Sequence, residues 1–325
     1  MSYKLLVFNA EANSMYDYAP ITEKVTYTTN RNGSAGKLNF SYVQEKPINL
    51  TEGAKVQFYV DGKEIFLGFV FITEQDRWGV VSVTAFDQLR YLKSNASYSF
   101  VGKKLGEIIQ QIAADMQLQI GTLEDTGYTI PTLTKENIEC LDIIEYGLQT
   151  TQYNTGRTFI FYDDFGKLSL REAKNMMSDV LIGNGSVLAE YTYKSDINSE
   201  TFNQVKLVRP NKDTGRGDTY VFSDSSTIKK WGLLQKYEKV DENLNEAQIN
   251  QQGNIMMAYY DRVLKTISVD GARGVVGLKA GSMAMFKIKD VPELSKGYYL
   301  LLDKVKHTFS DGEHTMSVEA KIINI

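Results

Sequence analysis

Two tripeptides in this chain also occur in enzyme active sites, Asp125-Thr126-Gly127 and Asp164-Phe165-Gly166. The first matches the aspartic-protease motif. That chemistry needs two carboxylates sharing one proton, each at the end of an apolar strand. Here Glu124 precedes the motif, Tyr128 follows it, and no second copy exists. The second resembles the metal-binding triplet of kinases, but no His-Arg-Asp loop or Val-Ala-Ile-Lys strand accompanies it. Both read as turns. Gly33–Lys37 has the wrong spacing for a phosphate-cradling loop and lacks its Ser or Thr. His307 and His314 can meet across a hairpin turning at Asp311-Gly312, with Asp303 and Glu313 near in sequence. A metal site needs further ligands, and paired polar positions on a strand face are the commoner arrangement. Cys140 falls on the apolar side of a helical pattern, which suits an inert buried thiol. With two histidines and one cysteine, no convincing hydrolase set can be assembled, and no catalytic, cofactor-binding or metal residues are assigned.

The elements that carry these residues fall into three segments. Residues 1–97 read as a β module: Lys4–Phe8, Glu23–Thr29, Lys37–Tyr42, Lys55–Val60, Ile65–Thr73 and Val80–Phe86 are short β-branched or aromatic runs. Asn32-Gly33, Asp61-Gly62 and Trp78-Gly79 punctuate them. Regularly spaced short strands suggest a barrel or sandwich. Residues 98–182 read as a small α/β insert. Leu105, Ile108, Ile109, Ile112, Ala113 and Met116 keep helical spacing, and a second helix is expected over Asn137–Thr150 with Thr134 or Asn137 as its cap. Two strands, Arg157–Tyr162 and Lys167–Arg171, are joined over Asp163–Gly166. Residues 183–325 return to β pattern, with Ala189–Lys194, Gln204–Arg209, Asp218–Phe222 and everything from Ser282 onward as strands. One long helix is expected over Asp241–Lys265.

Composition narrows the classes of function. The net charge of −4 lacks the basic surplus of a nucleic-acid binder, so no tight nucleic-acid binding is expected. No apolar run reaches the roughly 18–20 residues that span a bilayer, and the N-terminal apolar stretch is too short for a signal peptide. A single cysteine rules out an internal disulfide framework and suggests synthesis in a reducing compartment.

The two β segments resemble each other. Leu50–Val60 (LTEGAKVQFYV) lies beside Leu278–Ile288 (LKAGSMAMFKI) at an offset of 228, matching Gly53 to Gly281 and Phe58 to Phe286. Val81–Ala85 lies beside Met316–Ala320 at an offset of 235. A duplicated strand must keep its apolar residues on the same alternate positions, and these do. The extra seven residues are placed in one loop, where Asp61-Gly62 gives way to Asp290–Gly297. The earlier parts, Val25–Phe40 and Val205–Phe222, match only vaguely. The expected fold is therefore mainly β with an α+β insert: two similar β modules related by internal duplication. Three such chains would present six quasi-equivalent units in a ring, as a symmetry adapter needs.

The stretch Glu52–Tyr98, above all "VDG.EIF.G.VF" followed by "V.V.A.DQLRYL", resembles the baseplate tail hub proteins of contractile phages and phage-tail-like particles, of the PBSX-prophage XkdQ type. Lys103–Ile109, Asp125–Tyr128 and the His307–Ile325 ending share the likeness. The resemblance implies tube-like β-barrel modules at both ends of the chain. It implies a homotrimeric, pseudo-sixfold ring that joins the hexameric tail tube to the trimeric spike. The implied partners are further copies of the chain, the tube and spike proteins, and the tape-measure and other baseplate proteins. Its place would be the baseplate of a virion or tail-like particle made in the bacterial host cytoplasm, with no membrane and no cofactor. With no lysozyme or peptidase segment after Ile325, any wall-degrading activity is expected of another protein. A mildly acidic wall would keep a DNA-carrying lumen from pairing with phosphates.

Two other classes compete. A tail-associated cell-wall hydrolase lacks a catalytic set, and a wall-carbohydrate module would place Trp78 and Trp231 in sugar-binding clefts. The Asn- and Gln-rich helix over Asp241–Lys265 either bridges two sheets or faces another subunit or a partner. In the second case Met256, Tyr259 and Val263 are the interface residues.

Overall fold

The computed structural model describes residues 1–44, 50–210 and 216–322; the last three residues of the expected β ending lie outside them. The first β segment holds β1 (Tyr3–Asn9), β2 (Ser14–Asp17), β3 (Thr22–Asn30), β4 (Lys37–Val43), β5 (Lys55–Val60), β6 (Lys63–Gln75) and β7 (Val80–Phe86). The insert holds β8 (Asn95–Lys104), α1 (Leu105–Asp115), β9 (Ile120–Leu123), β10 (Thr129–Glu139), α2 (Cys140–Thr155), β11 (Phe159–Asp163) and β12 (Leu168–Glu172). The remainder begins with β13 (Met177–Gly183), β14 (Glu190–Asp196), β15 (Gln204–Pro210), β16 (Gly217–Ser223), α3 (Ser225–Trp231) and β17 (Gln235–Lys239). It ends with α4 (Glu246–Tyr260), β18 (Leu264–Arg273), β19 (Met283–Lys287), β20 (Tyr298–Ser310) and β21 (Glu313–Lys321).

Thirteen strands from both ends of the chain form one sheet. Its order is β14-β18-β21-β20-β3-β4-β7-β6-β5-β1-β2, with β19 and β13 attached beside β20. The expectation of two barrels is not met within one chain, because no sheet closes on itself among the described residues. The reason is an occupied edge: β3 could close the first module only through the edge that it gives to β20, where Val305 faces Thr29 and Phe309 faces Val25.

Strand alternation sets the two cores. Val56, Phe58 and Val60 point into the first with Leu5, Phe40, Val83 and Ala85; Ala284, Phe286 and Ile288 point into the second with Val269, Val318 and Ala320. Each fully buried phenylalanine contributes roughly 2–3 kcal/mol by leaving water.

The two meanders share one register. Phe58 faces Phe66, and 228 and 232 residues later Phe286 faces Tyr298. Val70 faces Ala85, and 232 and 235 residues later Leu302 faces Ala320. A bulge interrupts each second hairpin at the same place, between Val70 and Ile72 and between Leu302 and Lys304. Gly53 and Gly281 both take left-handed backbone angles, φ +80 and +85. Their N–H groups donate to Val70 and Leu302, each at 2.8 Å. The left-handed angle is open to glycine at little cost, which accounts for both residues. The register divides the length difference between two loops instead of one. The offset rises from 228 to 232 across Asp290–Gly297, and from 232 to 235 at the tip of the β20–β21 hairpin.

The earlier strands pair alike as well, but not where the sequence comparison sought them. β3, β4 and β7 lie side by side in that order as β14, β18 and β21 do, with Val25 facing Phe40 and Tyr191 facing Val269. Between β14 and β18 a separate lobe intervenes, a three-stranded sheet ordered β16-β15-β17 and covered by α4. Val205–Pro210 and Gly217–Phe222 belong to that lobe, so aligning them with Val25–Phe40 could only fail.

Helix α1 buries the expected stripe, Leu105, Ile108, Ile109, Ile112 and Ala113, against Leu141, Ile144, Phe161 and Leu170. The second helix starts at Cys140, later than expected, because Thr129–Glu139 is extended and pairs with β8. Helix α4 is shorter than Asp241–Lys265. A reciprocal cap between Asn245 and Gln248, 2.9 Å in both directions, starts it. At its other end Leu264 already pairs with Asp196 as strand.

Candidate assembly surfaces

Strands β3 and β20 form the seam between the two β arrays, the first built of β1–β7 and the second of β13, β14 and β18–β21. Seven residue pairs join β3 to the second half of β20, from Asn30 facing Lys304 to Lys24 facing Ser310. Side chains lock it: Arg31 pairs with Asp303, and the Thr29 hydroxyl accepts the Ala280 N–H at 2.9 Å. In the middle, His307 is buried beside Tyr27, with the rings stacked at 6.3 Å.

The two histidines meet as their spacing suggested. His307 Nδ1 lies 2.9 Å from His314 Nε2, and His307 Nε2 lies 2.6 Å from the Leu278 carbonyl oxygen. Burial pushes both pKa values down, that of His314 to about 4 with a further push from His307. Both rings are therefore neutral near pH 7, and one N–H serves as the donor between them. The pair packs against Phe309 and Tyr27 at the seam, and among the described residues no group of three or more metal-ligating side chains exists.

The enzyme-like tripeptides are turns. Asp125 accepts the Gly127 N–H at 2.9 Å and pairs with Lys104 at 2.7 Å, exposed on the loop before β10. Its pKa is held down by those contacts. Asp164-Phe165-Gly166 is the tip joining β11 and β12. Phe165 packs against Tyr59 at 5.4 Å, and a side chain on Gly166 would press on Leu67, so this turn docks the insert on the first β array. Beneath it, Asp87 accepts the N–H groups of Gly36 and Leu89 at 2.8 and 3.0 Å. Burial, and then the nearby Asp163, push its pKa up. Sequence reasoning did not single out Asp87 or Asp163, because nothing local marks a carboxylate that tertiary packing buries.

Cys140 is fully buried at the start of α2, and its thiol pKa is raised by burial, the opposite of an activated nucleophile. Trp78 is 72% exposed at the β6–β7 turn, with Arg77 over its ring, whereas Trp231 ends α3 half-buried. The expected interface residues divide. Met256 is fully buried between α4 and its sheet. Tyr259 and Val263 are half-buried and line an open groove with Ile255, Arg262 and Ile322. Helix α4 also joins the lobe to the insert through the Tyr153 and Tyr260 hydroxyls, 2.6 Å apart. No helix is long and apolar enough to cross a membrane among the described residues.

Comparison with known proteins agrees with this arrangement. The chain is 34% identical over 274 residues to the uncharacterized protein YqbQ of Bacillus subtilis (strain 168), covering 83% of this chain and 82% of that protein. It is 32% identical over 275 residues to the phage-like element PBSX protein XkdQ of the same organism, with the same coverage. Its fold is similar to the 43 kDa tail protein of prophage MuSo2 from Shewanella oneidensis, with a TM-score of 0.71 at 12% identity and 98% of each chain covered. It is also similar to a tail protein from Neisseria meningitidis MC58, with a TM-score of 0.73 at 13% identity over 99% of this chain and 97% of that one. The YQBQ-like family model matches residues 25–321, nearly the whole chain, and the protein belongs to that family.

Proposed function

We propose that this protein is a structural hub of a contractile phage-tail or tail-like-particle baseplate, in which three chains close a ring of six quasi-equivalent β arrays. The observation that carries the proposal is the common strand order and register of the two arrays within one chain. An internal duplication accounts for that likeness, and it turns threefold symmetry into an approximate sixfold. A hexameric tube can then dock on one face of the ring and a trimeric spike on the other. On this reading each chain supplies a third of one larger barrel, which is why its own sheet stays open. The relation to the PBSX protein and the likeness in fold to prophage tail proteins support the setting. The groove beside Tyr259 and Val263, which Lys265 and Leu301 of the second array also line, is proposed as a contact for a neighbouring baseplate protein.

Light scattering on the full chain, alone and with its spike protein, tests the proposal. The expected particle has three chains of 36.7 kDa, with a threefold ring in electron micrographs. Tyr259→Asp should leave that mass unchanged while weakening the neighbouring contact. A monomer at every concentration, with and without the spike, would overturn the ring.

A further inference from the structure

The internal seam carries more information than its own contacts. In each array one edge strand and one long strand occupy matching places: β3 matches β14 at an offset of 166, and β6 matches β20 at an offset of 232. The seam joins β3 to β20. Their counterparts, β14 and β6, are not joined within the chain. Among the described residues, strand β14 pairs only with β18, and the edge of β6 beyond Val70 pairs with no strand. A row of unpaired N–H and C=O groups is a template for another strand, and a closed assembly leaves no such row.

The geometry points to β14 of one copy pairing antiparallel with the second half of β6 of the next copy, repeating the internal seam between chains. This assignment rests on the ring reading above and names the surface that closes it. Transferring the seam by the two offsets sets Thr73 opposite Ser195, Glu74 opposite Lys194 and Gln75 opposite Tyr193. Three features of the residues fit. Glu74 and Lys194 are both exposed and of opposite charge; among the described residues Lys194 has one ion pair, with Asp196 on its own strand, and Glu74 has none. Ser195 puts a hydroxyl where Thr29 accepts the Ala280 N–H, and the corresponding donor is the Glu52 N–H. Ile72, 46% exposed on the free edge, is covered when the strands join.

The inter-chain seam is also shorter. The β20–β21 hairpin is three residues longer than its counterpart, so the internal seam has seven pairs, whereas Ile72–Gln75 provides four before the turn at Asp76. With fewer residue pairs, the inter-chain seam should open more easily than the seam within one chain.

Disulfide trapping tests the register. Antiparallel partners lie within disulfide reach, and the next residue along a strand points to the opposite face. Full-length protein carrying Glu74→Cys with Lys194→Cys should oxidise to a covalent trimer. Gln75→Cys with Lys194→Cys should stay unlinked, and the single variants control for Cys140. Glu74→Lys should weaken association a few-fold, and adding Lys194→Glu should restore it. A trimer that forms but does not link through residues 74 and 194, or links equally through 75 and 194, overturns the strand pairing and leaves the ring. Links that build chains longer than three support the pairing and overturn the ring. A chain that neither links nor associates overturns both.

Discussion

The two β arrays share five strands in the same order, β3-β4-β7-β6-β5 and β14-β18-β21-β20-β19, yet one is continuous in sequence and the other is opened by an inserted lobe. In the first, β3 to β7 follow one another directly. In the second, the strand matching β3 is separated from the strand matching β4 by β15, β16, α3, β17 and α4. The outer strands differ too, since β1 runs antiparallel to β5 whereas β13 runs parallel to β19. The meander in the middle keeps its register and its bulge. Register is under strong constraint there, because a slip by one residue would turn every core side chain out to solvent. Connections at the sheet's end carry no such penalty, and long surface insertions cost little closure entropy.

The largest expected effect tests whether the arrays are energetic equals. Phe58→Ala and Phe286→Ala each empty a fully buried site, and each should lower stability by about 3–5 kcal/mol. Denaturant unfolding followed by circular dichroism reads both; a silent substitution in either array would break the equivalence. The next effect separates them. Gly53→Ala meets open space and should cost about 1 kcal/mol from its backbone angle alone. Gly281→Ala would bring a Cβ to 2.4 Å from Ile160 Cγ2, where the insert packs on the second array. It should cost about 1–3 kcal/mol more, as overpacking does. Equal losses in the same unfolding assay would mean that this contact yields freely.

The effect that is smallest near neutral pH, and grows only as pH falls, is one of titration; it belongs to the second array, which has His307 where the first has Gln75. His314 binds its proton at about 4 in the folded chain and near 6.5 when unfolded. Above 6.5 neither state holds the proton, and the stability is complete. As pH falls from 6.5 towards 4 the unfolded chain is protonated first, so stability is lost over that window. Thermal melting at stepped pH should show a shallower slope for His314→Gln than for the natural chain. Identical slopes would remove the histidine from the account.

Much of this molecule was legible in its residues. The alternation in Lys55–Val60 and Val80–Phe86 located strands and their buried faces, and the spacing from Leu105 to Ala113 located a helix and its core side. Thr129–Glu139 was not legible as a strand, because its mixed pattern alternates poorly and its pairing with β8 passes through a bulge. Met256 shared helical spacing with Tyr259, but only packing against the lobe's sheet separated the buried face from the one beside the groove.

The sequence by itself determined which side chains face inward in each array, since side-chain alternation is a property of the strand alone. It also determined where glycine permits a left-handed turn. What only the tertiary structure decided is which strand lies beside which. Strand edges join through backbone N–H and C=O groups, which are nearly the same for every residue and leave no mark in the sequence. The junction of β3 with β20 therefore became visible only in three dimensions, and with it the open edges, among the described residues, of β14 and of β6 beyond Val70.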